Sequence, residues 1–476
     1  SFTDQSTTTG NIVPKVLTAT ASASNKTYDG STTAATTLTF TGLIGSETLG
    51  QTVGSTFDNK NVGTGKTVTV NSITLADGSN GGLAANYSIS AGQTTTANIT
   101  AKSLTVSGIT SSNKTYDGNT VATLDASSVA YSGLIGSDIF NGTYTGAFSD
   151  KNVGSSKTVT ITSSYTGADV GNYSVTNQSP TTANITAKAL TVSGITSSSK
   201  TYDATTSATL NTGSVSYGGL VSGDNLTGTY SGVFNNANVG SGKTVTITSS
   251  YSGADVNNYT ITDQASTTAN VTAKALTATA SASNKVYDGS STATSTLSLS
   301  GFIGSETVTS TNSSTFNNKN VGTGKTVTVD SINLADGSNG GLAANYSIST
   351  GQTTTANVTA KALTVSGITA SNKTYDGGTN ATTTLSFSGF IGSETINNIN
   401  SSTFDNKNIG TSKAVTVNSI TLVDGNNGGL ASNYSISSGQ TTTADVSAKQ
   451  LTVSGISASS KLYDGTTSIT LDTSSV

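Results

Sequence analysis

The residues that could do chemistry in this chain are few in kind. Its 476 residues contain no Cys, His, Met or Trp, and all 21 basic residues are Lys, set against 25 Asp and Glu. Without His, Cys or Arg, the usual bases, nucleophiles and oxyanion partners are missing. What remains is carboxylate, ammonium, amide and tyrosine chemistry. A carboxylate pair can hydrolyse a glycoside, but the acids here recur in turn-like segments and no stretch carries a singular cluster. Three other possibilities follow from spacing. Asp/Asn-rich loops such as Asp58, Asn59, Lys60 and Asn61, or Asp77, Gly78, Ser79 and Asn80, invite a calcium reading. Calcium wants six to eight oxygens, several from carboxylates, and one acid among amides with a Lys inside the loop reads better as a solvated turn. Lysines such as Lys26 and Lys66, close in sequence to Asn and Asp, raise an intramolecular Lys–Asn isopeptide bond, which needs lysine, amide and carboxylate in contact. The plainer reading gives those lysines the task of protecting strand edges. The third possibility is Tyr as a ligand contact.

That tyrosine belongs to a Lys-x-Tyr-Asp-Gly segment that occurs six times, about every 86 residues: Tyr28, Asp29, Gly30; Tyr116, Asp117, Gly118; Tyr202, Asp203; Tyr287, Asp288, Gly289; Tyr375, Asp376, Gly377; and Tyr463, Asp464, Gly465. Asp can bond its own following backbone and Gly supplies positive φ, so the segment reads as a structural turn. Its Tyr is expected to pack its ring on a sheet, with the hydroxyl tied down inside its own repeat. Ala204 stands where the third copy would have Gly, which suggests that positive φ is not obligatory there. A motif needed in every copy points to folding rather than to a binding site. No catalytic, cofactor-binding or metal-ligating set emerges.

A fixed period makes the chain an array of one unit. The repeats read as 15–101, 102–187, 188–273, 274–360 and 361–448, with 1–14 the tail of a preceding repeat and 449–476 the start of a truncated one; the chain reads as a piece of something longer. Each repeat carries the same ordered landmarks. A junction Lys (Lys15, Lys102, Lys188, Lys274, Lys361, Lys449) precedes the Tyr-Asp-Gly turn. A Gly-hydrophobic segment with a second Gly and a closing acid follows, as in Gly42 to Glu47 and Gly133 to Asp138. Then come Phe, Asn-Val/Ile-Gly and a Lys-x-Val-Thr strand, and finally Asn-Tyr at Tyr87, Tyr173, Tyr259, Tyr346 and Tyr434. Two sub-types differ in the last loop: repeats 1, 4 and 5 carry an insert such as Asp77 to Gly82, and repeats 2 and 3 carry Tyr165 to Tyr173 and Tyr251 to Tyr259.

The elements that hold these landmarks read as strands. Thr67-Val68-Thr69-Val70 and Lys157 to Ile161 alternate polar and apolar with period two. Gly, Asn, Asp and Ser clusters divide such runs, and no apolar stripe of helical period appears, so the fold class is all-β, with Ig-like sandwich repeats of about 86 residues and a β-grasp unit as the alternative. At the junction Ala97, Ile99 and Ala101 fall on odd positions but Leu104 and Val106 on even ones. A slip of one turns side chains to the opposite face, so the chain is expected to leave one core and enter another within about two residues, too few for a flexible linker. An extended rod follows, about 180–200 Å for five units of eight-to-ten-residue strands. The net charge of −4 argues against nucleic acid, and no apolar run approaches the roughly 20 residues of a membrane span.

Lys-Thr-Tyr-Asp-Gly after Leu-Thr-Val, then Gly-Leu-Ile-Gly-Ser-Glu, Asn-Val-Gly-x-x-Lys-x-Val and Asn-Tyr-Ser-Ile resemble, in that order, the YDG and related MBG repeat domains. The resemblance covers essentially the whole chain. It departs at the junction, where relatives often carry Pro, as at Pro14, and five of six junctions here have Ala before Lys. Such domains occur in tandem in very large bacterial surface and secreted proteins, often haemagglutinin-like adhesins. The resemblance therefore implies an extracellular or cell-surface setting and a structural stalk or fibre segment, with repeats that bind saccharide or a host protein as the alternative. Expected partners are the neighbouring repeats and, by lateral or end-to-end association, further copies. It supplies no ligand-binding residues and no cofactor.

Overall fold

The computed structural model describes residues 7–476. They are all-β. Repeat 2 shows the plan. Its junction strand Lys102–Ser107 pairs parallel with Tyr173–Thr176 and antiparallel with Ala130–Ser132, making a three-stranded sheet. A second sheet of five strands runs in the order Lys114–Thr115, Thr181–Thr186, Gly154–Thr166, Asn141–Phe148, Val121–Ala122. Only its outermost pair, Lys114–Thr115 with Thr181–Thr186, is parallel. β-branched alternation explains the long central strand: Val159 is buried while Thr158, Thr160 and Thr162 face solvent. Among the described residues, helix is confined to five 3-10 turns of three residues, Ala84–Asn86, Val170–Asn172, Val256–Asn258, Ala343–Asn345 and Ala431–Asn433. The helix of a β-grasp unit is not among them. No helix of the described residues is long and apolar enough to cross a membrane.

The two sub-types differ where the hairpin lengthens. In repeat 2 its strands span 8 and 13 residues; in repeats 1, 4 and 5 they span 9 and 15. The longer hairpins absorb the mismatch in a register shift at Gly54/Ser55, Ser313/Ser314 and Ser401/Ser402, as a β-bulge does.

The core is not where a self-contained repeat would put it. One buried cluster joins Tyr28, Ala34, Phe57, Val68, Ala97 and Ile99 of repeat 1 to Leu104, Val106, Ile109, Phe140 and Tyr173 of repeat 2. A second joins Tyr116, Phe148, Val159 and Ile185 to Leu190, Val192, Ile195 and Tyr259, and a third joins Tyr287, Phe316, Val327 and Val358 to Leu363, Ile396 and Tyr434. The larger sheet of one repeat and the junction strand of the next thus line the same core. This corrects the expectation at Lys102. The phase slip is real, since Ala97 and Ile99 are buried on one register and Leu104 and Val106 on the other. However, the chain crosses from one sheet layer to the facing one, so reversing the inward face keeps both runs pointed into a single core. The same sharing divides the chain into two compact units inside repeat 3: residues up to Thr196 with Thr209–Gly232 and Thr246–Thr267 form one, and Ser197–Ala208, Val233–Val245 and Thr268–Val476 the other.

Candidate functional site

The Tyr-Asp-Gly turn, the following repeat's acid, the Asn-Val/Ile-Gly loop and the Asn-Tyr pair converge on the joint between one repeat and the next. The Tyr-Asp-Gly turn is built first. Thr115 pairs with Thr186, and the Tyr116 amide donates to the Thr186 carbonyl at 2.8 Å. Asp117 accepts the Asn119 amide at 3.1 Å. The Lys114 ammonium then closes the loop on Asp117 at 2.7 Å and on the carbonyls of Asn119 and Val121 at 2.8 and 3.1 Å. Lys26, Lys200, Lys285 and Lys373 make the same 2.7–2.9 Å bond to Asp29, Asp203, Asp288 and Asp376. These lysines lie in the outermost strand of the larger sheet, and their ammonium groups clamp the turn that follows it. The Lys461–Asp464 pair repeats the contact at 2.9 Å, although Tyr463 itself is exposed.

The clamped turn aims its tyrosine out of its own repeat. Tyr28 donates to Asp138 Oδ2 at 2.8 Å, Tyr116 to Asp224 Oδ2 at 2.8 Å, Tyr202 to Glu306 Oε1 at 2.8 Å and Tyr287 to Glu394 Oε1 at 2.7 Å. All four rings are buried, as expected. The expectation that the hydroxyl is satisfied within its own repeat is overturned: its acceptor is the acid that ends the Gly-hydrophobic segment one repeat later. The reason is the shared core, which brings that segment over the turn. Tyr375 lies in an open groove with Asn408, Ile409, Ala448, Lys449 and Leu451.

The acid is also held by the Asn-Tyr motif of its own repeat. Tyr173 donates to Asp138 Oδ2 at 2.6 Å and accepts the Ile135 amide at 2.9 Å, and its ring meets Tyr28 edge-on at 5.6 Å. The preceding Asn172, last residue of its 3-10 turn, accepts the Val62 amide at 2.9 Å and donates to Asn61 Oδ1 at 3.2 Å. The same pair of bonds links Asn258 to Val153 and Asn152, Asn345 to Val239 and Asn238, and Asn433 to Val321 and Asn320. So the Asn-Val/Ile-Gly loop of one repeat is read by the Asn-Tyr of the next.

Lysine completes the site in three joints. Lys60 reaches Asp138 at 3.1 Å and Asp169 at 2.9 Å, Lys151 reaches Asp224 and Asp255 at the same distances, and Lys319 reaches Glu394 at 3.0 Å. Ala237 occupies the corresponding position between repeats 3 and 4, where Glu306 receives Tyr202 and Tyr346 without a lysine. The Asp138 side chain is wholly buried. Burial pushes its carboxyl up, but the Tyr173 and Tyr28 hydroxyls and Lys60 outweigh it and hold the group below its ordinary value. Asp169, then Asp138 and Tyr28, hold the Lys60 ammonium above the usual lysine range. Burial and Asp138 push the Tyr173 hydroxyl up to about 12.

The glycine of the turn now has two reasons. Its φ is +77° at Gly30, +81° at Gly118 and +78° at Gly289. A Cβ there would also meet Ile135 at 3.1 Å, Val221 at 2.7 Å and Ile391 at 2.5 Å, the second residue after the glycine that opens the acid-bearing segment of the following repeat. Ala204 keeps φ at +60°, so the inference that positive φ is dispensable there is also corrected: the clamp by Lys200 imposes the turn on alanine at a strain of about 1–2 kcal/mol. As for the Asp/Asn loops, Asp58 and Asn59 receive Lys66, and Asp77 accepts the Ala84 amide at 2.7 Å. Among the described residues no cluster of His, Cys, Asp and Glu could hold a metal ion.

A tandem all-β array whose signature residues form its joints is the class of protein this geometry defines. The YDG domain family matches residues 13–97, 100–183, 186–269, 272–356 and 359–444, and the chain belongs to that family. A search of curated proteins finds no match to it.

Proposed function

We propose that this chain is a non-enzymatic structural segment, a stalk or fibre portion of a large bacterial extracellular or cell-surface adhesin-like protein. The observation that carries the reading is that repeats 1 and 2, 2 and 3, and 4 and 5 share both a hydrophobic core and a buried polar joint, with one residue, Ala101, between the strands Thr94–Thr100 and Lys102–Ser107. Within each compact unit, repeats coupled in this way resist independent rotation, the property a load-bearing segment requires. The recurring acids Asp138, Asp224 and Glu394 are occupied by tyrosine and lysine, which favours a structural role over an acid–base one. The buried motif tyrosines are likewise taken up by the joints, which disfavours a ligand role for them. Lateral or end-to-end association into fibres belongs to the same proposal.

Single-molecule stretching of the chain tests it. Coupled repeats should unfold at high force in few events, each releasing about the contour of a repeat. Extension at entropic forces alone would overturn the load-bearing role, and selective binding on a glycan array would favour saccharide recognition instead.

A further inference from the structure

We propose that repeats 1 and 5 each form an intramolecular isopeptide bond, Lys66 Nζ to Asn59 Cγ and Lys413 Nζ to Asn406 Cγ. The geometry brings nucleophile, electrophile, proton shuttle and oxyanion donor together in one loop. Lys66 Nζ lies 2.8 Å from Asn59 Oδ1 and 2.9 Å from Asp58 Oδ1. The other oxygen of that carboxylate, Oδ2, is 3.3 Å from Asn59 Nδ2, the group that would leave. The Asn61 backbone amide donates to Asn59 Oδ1 at 3.0 Å, where charge would develop during attack. Repeat 5 reproduces the arrangement. Lys413 is 2.6 Å from Asn406 Oδ1 and 3.0 Å from Asp405 Oδ1, Asn406 Nδ2 is 3.2 Å from Asp405 Oδ2, and the Asn408 amide reaches Asn406 Oδ1 at 3.0 Å. Both lysine side chains are only 9% exposed. Their stems lie against Gly63 and Gly410, where an added Cβ would approach to 3.2 and 3.3 Å.

The step balances without an external reactant. Asp58 takes a proton from the Lys66 ammonium through Oδ1, and the freed amine attacks Asn59 Cγ to form the new C–N bond. Negative charge on Oδ1 is held by the Asn61 amide. Asp58 returns its proton through Oδ2 to Nδ2, the Cγ–Nδ2 bond breaks, and ammonia departs. The proton lost from Nζ as the amide forms passes through Asp58 to that ammonia, which leaves as ammonium. One ammonium and one carboxamide become one secondary amide and one ammonium ion, and no electron is gained or lost.

The remaining repeats are natural controls. Repeats 3 and 4 keep the pair, Lys243 with Asn236 and Lys325 with Asn318, but place Asn235 and Asn317 where the shuttling acid would stand. Repeat 2 has Asp150 in place of the amide, bonded to Lys157 at 2.7 Å. The loop that would be closed also carries Lys60, Asn61 and Val62, the groups presented to the next repeat, so the bond would lock the joint's donor face.

Intact-mass spectrometry of the purified chain, followed by peptide mapping, decides the matter. Two bonds lower the mass by about 34 Da, about 17 Da for each ammonia lost, with cross-linked peptides joining Asn59 to Lys66 and Asn406 to Lys413. Asp58→Asn should restore about 17 Da, and Asn317→Asp, which supplies the missing acid to repeat 4, should remove a further 17 Da or so. A mass equal to that of the sequence overturns the proposal. Cross-links in wild-type repeats 3 and 4 would overturn the role assigned to the acid.

Discussion

Replacing Tyr116 by Phe removes one oxygen from the joint between repeats 2 and 3 and leaves its ring in the core. The lost hydroxyl donates to Asp224 at 2.8 Å, a carboxylate whose side chain is 2% exposed and which keeps Tyr259 and Lys151 as partners. A hydrogen bond to a charged group is worth about 1.5–3 kcal/mol, so the joint should open more often by a factor of roughly 10–150. The Val153 amide reports that opening, because its acceptor is Asn258 Oδ1 on the other side of the joint. Native-state hydrogen exchange of the full chain should show peptides covering Val153 losing protection by that factor, while those in repeat 1 are unchanged. Asp224→Asn should expose the same amide, and the double variant should fall short of the sum by about 0.5–3 kcal/mol, as groups in contact do. Additive effects, or protection at Val153 that does not move, would refute the claim that this tyrosine holds the next repeat.

Tyr116→Ala also empties the ring position and should cost about 3–5 kcal/mol, seen as a lowered melting temperature of the surrounding unit. Ala237→Lys supplies the ammonium missing between repeats 3 and 4 and should slow exchange at the Val239 amide, which donates to Asn345 at 2.9 Å; Lys151→Ala should do the reverse at Val153. Ala204→Gly should raise stability by about 1 kcal/mol in thermal unfolding, because it relieves a φ of +60°. The joints should also have a pH window. Asp138, Asp224 and Glu394 are held below their ordinary values when folded, so their contribution is present above the ordinary carboxylate pKa of about 4 and is lost as pH falls through the lower folded values. Tyr173 and Tyr259 are pushed up to about 12, so their contribution is complete below pH ~10 and is lost between there and about 12. Circular dichroism across that range should show a plateau with losses at both ends, and a melting temperature still rising at pH 11 would contradict the assignment.

Strand periodicity, turn chemistry and the repeat were legible in the residues because each is a local property. Val159 between exposed threonines, Asp117 bonding its own turn and the register change around Lys102 all depend on neighbours within a few positions. The burial of Tyr28, Tyr116, Tyr202 and Tyr287 was legible too, since a turn recurring in every copy is a folding device. Its acceptor was not. Tyr28 meets an acid 110 residues away, and Asn172 meets Val62 across the same separation. When every repeat offers the same groups, sequence cannot tell a bond within a repeat from one to the next. Hydrogen-bond types alone leave the two degenerate. Tertiary structure resolves them through the core: apolar residues on both sides of the junction face a single interior, which draws the following acid over the preceding tyrosine. One signal could have hinted at it, the loss of Gly at Ala204 together with the loss of Lys at Ala237 in the same repeat, two changes that fall on one joint. The residue types at Asp58, Asn59 and Lys66 were likewise in plain view, but only the folded loop brings the three side chains within about 3 Å of one another.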